Sequence, residues 1–175
     1  MGRVHLREAT TADAPVLLDR LLEAYNWTGE ERLTREAMLD DAHAARYLAG
    51  WRRPDDLGLV ALADAGPGSA VLGAAWARPL PASAPGYGYA ADDVPELAMA
   101  VVAGARGRGI GSALVAALLA QARSRGWRAV SLSVEDGNTA ARRLYEQHGF
   151  RPVGRTGGSD TMVATLTDGP RVPGA

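Results

Sequence analysis

The run Gly104-Ala105-Arg106-Gly107-Arg108-Gly109-Ile110-Gly111-Ser112 has the residue types and spacing most directly suited to chemistry. Glycines alternate at 107, 109 and 111, and glycine admits positive φ and lets a ligand approach the backbone. An apolar run of strand length, Glu96 to Val102, precedes the turn, and a helix of alanine and leucine, Ala113 to Arg125, follows and stops at Gly126. A strand, a glycine turn and a helix in that order present free backbone N–H groups at a helix start, where the dipole adds positive potential. Arg106 and Arg108 add charge beside them. Arg106, Gly107, Arg108, Gly109, Ile110, Gly111 and Ser112 are therefore candidates to hold a phosphate or pyrophosphate. Ser112 either donates its hydroxyl to that anion or simply occupies the first helical turn. Gly109→Val and Gly111→Val are expected to clash with the anion. The P-loop pattern fails, because Ile110 stands where its lysine belongs. The dinucleotide fingerprint fails as well, because Ser112 replaces its last small residue.

Further elements must position this turn. A second strand, Arg128 to Val134, is followed by a short helix that Asn138 starts and caps. That helix ends Leu144-Tyr145-Glu146-Gln147-His148-Gly149-Phe150. Arg106-x-x-Gly109-x-Gly111, Asn138, Leu144-Tyr145 and Gly149-Phe150, in this order and spacing, resemble the GCN5-related N-acetyltransferase (GNAT) superfamily. The resemblance covers roughly residues 96 to 153. It implies acetyl-CoA as co-substrate, its pyrophosphate on the glycine turn. It implies that Met99 and Val101 pair through their backbones with the pantetheine amides. A backbone N–H of Val101 or an immediate neighbour would face the oxyanion. Asn138 would add a side-chain contact to the coenzyme, and Tyr145 would lie near its sulfur. The two strands around the turn would be parallel and splayed.

Acetyl transfer from a thioester to an amine has three needs. The amine must lose its proton, the oxyanion needs a hydrogen-bond donor, and the departing thiolate needs stabilisation. Tyr145 is the candidate acid for the leaving thiol. Glu96 is the first candidate for the base, because it opens the strand carrying Val101; Asp92, Asp93, Glu135 and Asp136 are the other carboxylates in this region. In some related enzymes a glutamate lies on the later strand, where this chain has Ser133. Tyr25, Trp27 and Trp51 fall in the region that forms the acceptor side of the family, although a core role is the first expectation for each.

Val4 to Glu8 alternates as a half-buried strand does, and Asp13 before Ala14-Pro15 reads as the N-cap of a helix to about Tyr25. A second helix is expected from Thr34 to about Leu48. Leu57 to Ala63 and Val71 to Arg78 read as a hairpin, and Arg151 to Thr156 and Thr161 to Leu166 as another. Between Pro79 and Tyr89 the chain is a Pro- and Gly-rich loop whose tyrosines, Tyr87 and Tyr89, are expected to pin it. The expectation is an α/β (α+β) fold, a mixed, mostly antiparallel sheet with helices on both faces. It forms one domain over 1–166 and a loose tail over 167–175.

Composition narrows the function classes. There is no cysteine among the 175 residues, which removes disulfides and thiolate chemistry. The net charge of −1 favours neither nucleic acid nor an acidic membrane. The histidines, at 5, 43 and 148, lack ligand spacing, and no metal is expected. No apolar signal core or membrane span is visible, so a cytoplasmic protein is expected. The expected partner is a small-molecule, peptide or protein amine, with a homodimer left open. The alternative is a coenzyme-A-binding regulatory or sensor domain without turnover.

Overall fold

The structure is a computed structural model that describes residues 4–167, so the expected tail lies outside it except for Thr167. Seven strands form one sheet: β1 (His5–Glu8), β2 (Leu57–Leu62), β3 (Val71–Arg78), β4 (Glu96–Val101), β5 (Ala129–Glu135), β6 (Arg151–Thr156) and β7 (Ser159–Thr165). Their spatial order is β1-β2-β3-β4-β5-β7-β6, and among the described residues only β4 and β5 run parallel. The helices are α1 (Ala14–Tyr25), α2 (Arg35–Asp40), α3 (Ala42–Ala45), α4 (Ile110–Ser124) and α5 (Thr139–Gln147).

Side-chain alternation explains why both faces are covered. In β2 and β3, Leu57, Leu59, Ala75 and Ala77 point to the core under α4, while Val60, Ala74 and Trp76 point to the core under α1. Helix α4 meets its side with Ile110, Leu114, Val115, Leu118, Leu119 and Ala122, the i, i+4 stripe of an amphipathic helix. Each fully buried leucine there contributes about 2 kcal/mol. Edge strand β6 is exposed throughout and carries Arg151, Pro152 and Arg155, which discourage pairing with another chain. Among the described residues no helix is long and apolar enough to cross a membrane.

Three local expectations are corrected. The segment 34–48 is not one helix. It breaks at Asp41, an extended residue whose carboxylate accepts from the N–H groups of His43 (2.7 Å) and Ala44 (3.1 Å) and so starts α3 afresh. Asp13 precedes α1 but makes no side-chain bond to it. Its carboxylate instead takes both terminal nitrogens of Arg7 (2.8 Å each) and the Thr10 N–H (2.6 Å), tying the helix start to β1. The hydrogen bonds from Arg7 hold the Asp13 carboxyl down at about 2, against the rise that burial alone would bring. Helix α4 begins at Ile110, three residues before Ala113, because Gly109 turns the chain at φ 79° and Ile110 is already buried.

Candidate active site

Strands β4 and β5 pair at a single position, Glu96 opposite Ser131, and then part. Strand alternation shows which backbone groups face the gap. The Pro95 carbonyl accepts from Ser131 N (2.9 Å) on the β5 side, while Val102 N donates to Leu72 O (2.9 Å) on the β3 side. The peptide groups of Met99 and Val101 therefore face the gap, and those of Ala100 and Val102 face β3. That narrows the expected oxyanion donor, since the Val101 neighbours direct their N–H groups away. The Val101 carbonyl accepts from Arg106 Nε (3.1 Å). The gap opens into a cavity of about 1030 Å³ that runs from the glycine turn past Met99 to Glu96 and the C-terminal end of α1.

At the turn, the N–H groups of Gly107 to Ser112 have no hydrogen-bond partner among the described residues, and the first helical bond is Ala113 N to Gly109 O (3.0 Å). They form a row of donors at the start of a helix, the arrangement that takes anions. Gly107 and Gly109 have φ of 72° and 79°. A Cβ at Gly109 would meet nothing within 4 Å, so glycine is needed there for conformation rather than for space. A Cβ at Gly111 would meet Leu144 Cδ1 at 3.1 Å and Met99 Cε at 3.2 Å. Gly111 thus lets α4 pack on α5 and β4, and the expected clash with an anion is replaced by a packing role. Ser112 Oγ bonds His148 Nε2 (2.8 Å), joining the first turn of α4 to the end of α5. Arg106 lines the cavity, as do Gly107, Gly109, Ile110, Gly111 and Ser112; Arg108 is exposed and lies outside the lining.

Tyr145 is placed by the way α5 ends. Asn138 caps the helix start by accepting from Ala141 N (3.2 Å), and it also lines the cavity. At the other end Gly149, at φ 88°, lets Phe150 N return to Tyr145 O (3.1 Å) and Gly149 N to Glu146 O (3.1 Å). The Tyr145 and Phe150 rings meet edge-on at 5.7 Å. The spacing Tyr145-x-x-x-Gly149-Phe150 is thus a helix stop with its own apolar contact, and it sets the tyrosine against the cavity wall. Its hydroxyl has no hydrogen-bond partner among the described residues. Burial pushes its pKa up to about 12.

At the far end of the cavity, Glu96 is 2% exposed. Its Oε1 accepts from Tyr47 Oη (2.6 Å) and Gly88 N (2.8 Å), and its Oε2 is buried with no hydrogen-bond partner among the described residues. A Cβ at Gly86 would overlap this carboxylate, so glycine is what lets the 79–95 loop close over it. Arg78 stands directly opposite Glu96 in the β3–β4 register, but its charge is committed to Asp56 (3.0 and 2.5 Å) and to the carbonyls of Arg46 (2.9 Å) and Ala49 (3.0 Å). Burial raises the pKa of Glu96, only partly countered by the bonds from Tyr47 and Gly88. The other candidate carboxylates are all engaged. Asp92 accepts from Ala82 N (2.7 Å) and Tyr89 Oη (2.9 Å), Asp93 pairs with Arg128, Asp136 with Arg155 (2.6 Å), and Glu135 with Arg32 (2.8 Å).

A model described as the acetyltransferase (GNAT) family matches residues 18–150. The chain belongs to this family. It is 29% identical over 155 residues to a mycothiol acetyltransferase of Jonesia denitrificans, covering 88% of this chain and 45% of that protein. It spans less than half the length of the curated relatives it matches. A GCN5-related N-acetyltransferase from Kribbella flavida superposes with a TM-score of 0.66 at 26% identity, covering 93% of this chain and 98% of that one. The fold is also that of an N-acetyltransferase from Thermoplasma acidophilum solved in complex with coenzyme A (TM-score 0.63, 18% identity, 93% and 99% covered).

Within this GNAT fold several residues gain places that the sequence did not signal. Tyr47 links α3 to the Glu96 carboxylate; its hydroxyl also accepts from Tyr87 N (2.8 Å), and its carbonyl accepts from Trp76 Nε1 (3.0 Å). Tyr25 and Trp27 line the cavity, whereas Trp51 packs on Gly58 and donates to Thr10 O (2.9 Å), away from it. The tyrosines of the 79–95 loop divide. Tyr89 pins the loop through Asp92, but Tyr87 lines the cavity, its ring edge-on to Tyr25 and tilted over His43 at 4.0 Å. Arg32, in the connection after α1, also reaches the cavity, held by Glu135.

Proposed function

We propose that the protein moves an acetyl group from acetyl-CoA to a primary amine by direct attack within a ternary complex. The free N–H groups of residues 107–112 and the Arg106 guanidinium hold the pyrophosphate. The gap-facing peptides of Met99 and Val101 pair with the pantetheine arm, and a Val101 N–H takes the oxyanion. Asn138 adds a contact to the coenzyme.

The observation that carries the reading is Glu96, a buried carboxylate without a cationic partner among the described residues, on the wall of a cavity whose other end is a row of free N–H groups. A carboxylate left without a cation in low dielectric favours a proton or an ammonium as its partner. The substrate ammonium gives up its proton to Glu96 through water, because five residues of extended strand, about 16 Å, separate Glu96 from Val101. The amine nitrogen attacks the thioester carbonyl and sheds its second proton to solvent, the C–S bond breaks, and the thiolate leaves against the Tyr145 hydroxyl and takes its proton from solvent.

The test is acetyl-CoA affinity by calorimetry followed by thiol release over an amine panel. Micromolar binding with amine-dependent release is expected. Binding without release for any amine would overturn the catalytic reading in favour of a coenzyme-binding module.

Two further outcomes are expected. Gly109→Val puts a β-branched residue at a left-handed φ, a strain of about 1–2 kcal/mol. The loop should relax away from its anion-binding shape, weakening acetyl-CoA by roughly 5- to 30-fold with unchanged circular dichroism. Unaltered affinity in the folded variant would remove the turn from the coenzyme site. Tyr47→Phe deletes a bond that favours the ionised form of Glu96. The pKa of Glu96 should then rise further, and the rising limb of kcat/KM should move to higher pH. A limb that stays in place would leave Tyr47 a packing residue.

A further inference from the structure

The charges that line the cavity fall into an uneven pattern. Besides Glu96, the acids are Glu23 and Glu135, and the cations are Arg32 and Arg106. Arg106 stands at the glycine turn, at the coenzyme end. Glu23 is matched by Arg20 (3.2 Å). Glu135 takes both terminal nitrogens of Arg32 (2.8 Å each) and also Trp27 Nε1 (2.7 Å). Away from the turn, the lining among the described residues therefore has one acid that no cation matches and no cation that is unmatched. The walls around that acid are aromatic: Tyr25, Tyr47 and Tyr87, with Trp27 beyond.

We propose that the acceptor is a primary amine bearing one positive charge and no carboxylate beside it, and that the Arg32–Glu135 pair excludes free amino acids by keeping the cavity's second guanidinium occupied. The proposal rests on Glu96 marking the acceptor end. A carboxylate on the α-carbon would arrive with the amine in the part of the cavity that holds Glu96 and the aromatic rings. It would be desolvated against a like charge with no donor fork to receive it, and like-charge juxtaposition is a strong basis for rejection. Arg32 has the geometry to receive a carboxylate, but both of its terminal nitrogens are spent on Glu135.

The experiment compares three acceptors with one side chain: phenethylamine, phenylalaninamide and phenylalanine, with ethylamine, alaninamide and alanine alongside. The amide has the bulk of the acid without its charge. The expected result is transfer to amine and amide, with kcat/KM for the acid lower by roughly 100-fold. Glu135→Gln releases Arg32, so it should raise kcat/KM for the acid about 10-fold relative to the amide, with acetyl-CoA affinity unchanged. Equal kcat/KM for acid and amide would overturn the proposal, as would an acid-to-amide ratio that Glu135→Gln leaves unmoved. Both of those results would keep the transferase reading. Acetyl-CoA binding with transfer to no amine would overturn the two together.

Discussion

Glu96→Gln is expected to lower kcat near neutral pH by roughly 10²-fold or more, the usual worth of a general base. The variant keeps the size of the side chain and an oxygen that can accept from Tyr47 and Gly88. The pH dependence should separate loss of the base from loss of structure. In the parent, kcat/KM should rise with pH through an ionisation displaced above the ordinary glutamate range, since burial raises Glu96. The variant should lack that step and retain only the rise from the amine itself, near ~10.4 for an alkylammonium. Its deficit should therefore shrink as the solution supplies free amine. Stability should move in the opposite sense. A carboxyl whose pKa is raised by folding stabilises the native state fully below its unfolded pKa, and that contribution is lost as pH rises through the folded one. Where Glu96 is ionised it costs stability, so Glu96→Gln should melt no lower than the parent at pH values above the rising limb of kcat/KM. Wild-type kcat across the pH profile would transfer the role to another group or to water.

Tyr145→Phe is expected to keep the fold and most of the acetyl-CoA affinity, and to lose roughly 10- to 10³-fold in kcat. With an unperturbed tyrosine near ~10 and a thiol near ~8.5, full proton transfer would already be uphill by about 2 kcal/mol. Burial lifts Tyr145 to about 12. The gap widens to about 3.5 units, or roughly 5 kcal/mol. The hydroxyl therefore acts by hydrogen-bonding the sulfur as charge develops, with the final proton coming from solvent. A donor whose leaving thiol is more acidic needs less of this help, and its loss in the variant should be smaller. Equal losses with both donors would make Tyr145 a residue that positions the coenzyme. No loss with a confirmed acceptor would make it a core tyrosine.

Much of the coenzyme end was legible because its information is contiguous. The turn at 107–112 is written in glycine spacing, and its donors are backbone groups that no distant side chain has to supply. Tyr145 was legible because residues 138 to 150 carry both ends of its helix, a capping Asn and a Gly-Phe stop. The details missed here were local competitions. Asp41 broke a helix that periodicity alone would continue, because its carboxylate satisfies two N–H groups of the next turn. Gly111 was read as clearance for a ligand, although its missing Cβ makes room for Leu144 and Met99.

The acceptor end shows the other limit. The sequence by itself determined a mixed sheet, the glycine turn at a helix start, the position of Tyr145 and the presence of a glutamate at the head of β4. It put Glu96 ahead of four other carboxylates only by its place on the strand, and could not distinguish their surroundings. Tertiary structure did, by giving cations to Asp93, Glu135 and Asp136, hydrogen bonds to Asp92, and, among the described residues, no cation to Glu96. The deciding pairs join residues far apart in the chain: Tyr47 and Glu96 lie 49 positions apart, Arg32 and Glu135 lie 103. Arg78 even stands opposite Glu96 in the sheet, yet its charge goes to Asp56. Whether a buried acid is matched or left bare depends on which side chains the packed sheet brings within about 3 Å of it. Local pattern places a residue on a strand, but only the closed fold sets the dielectric around it and the charges it meets.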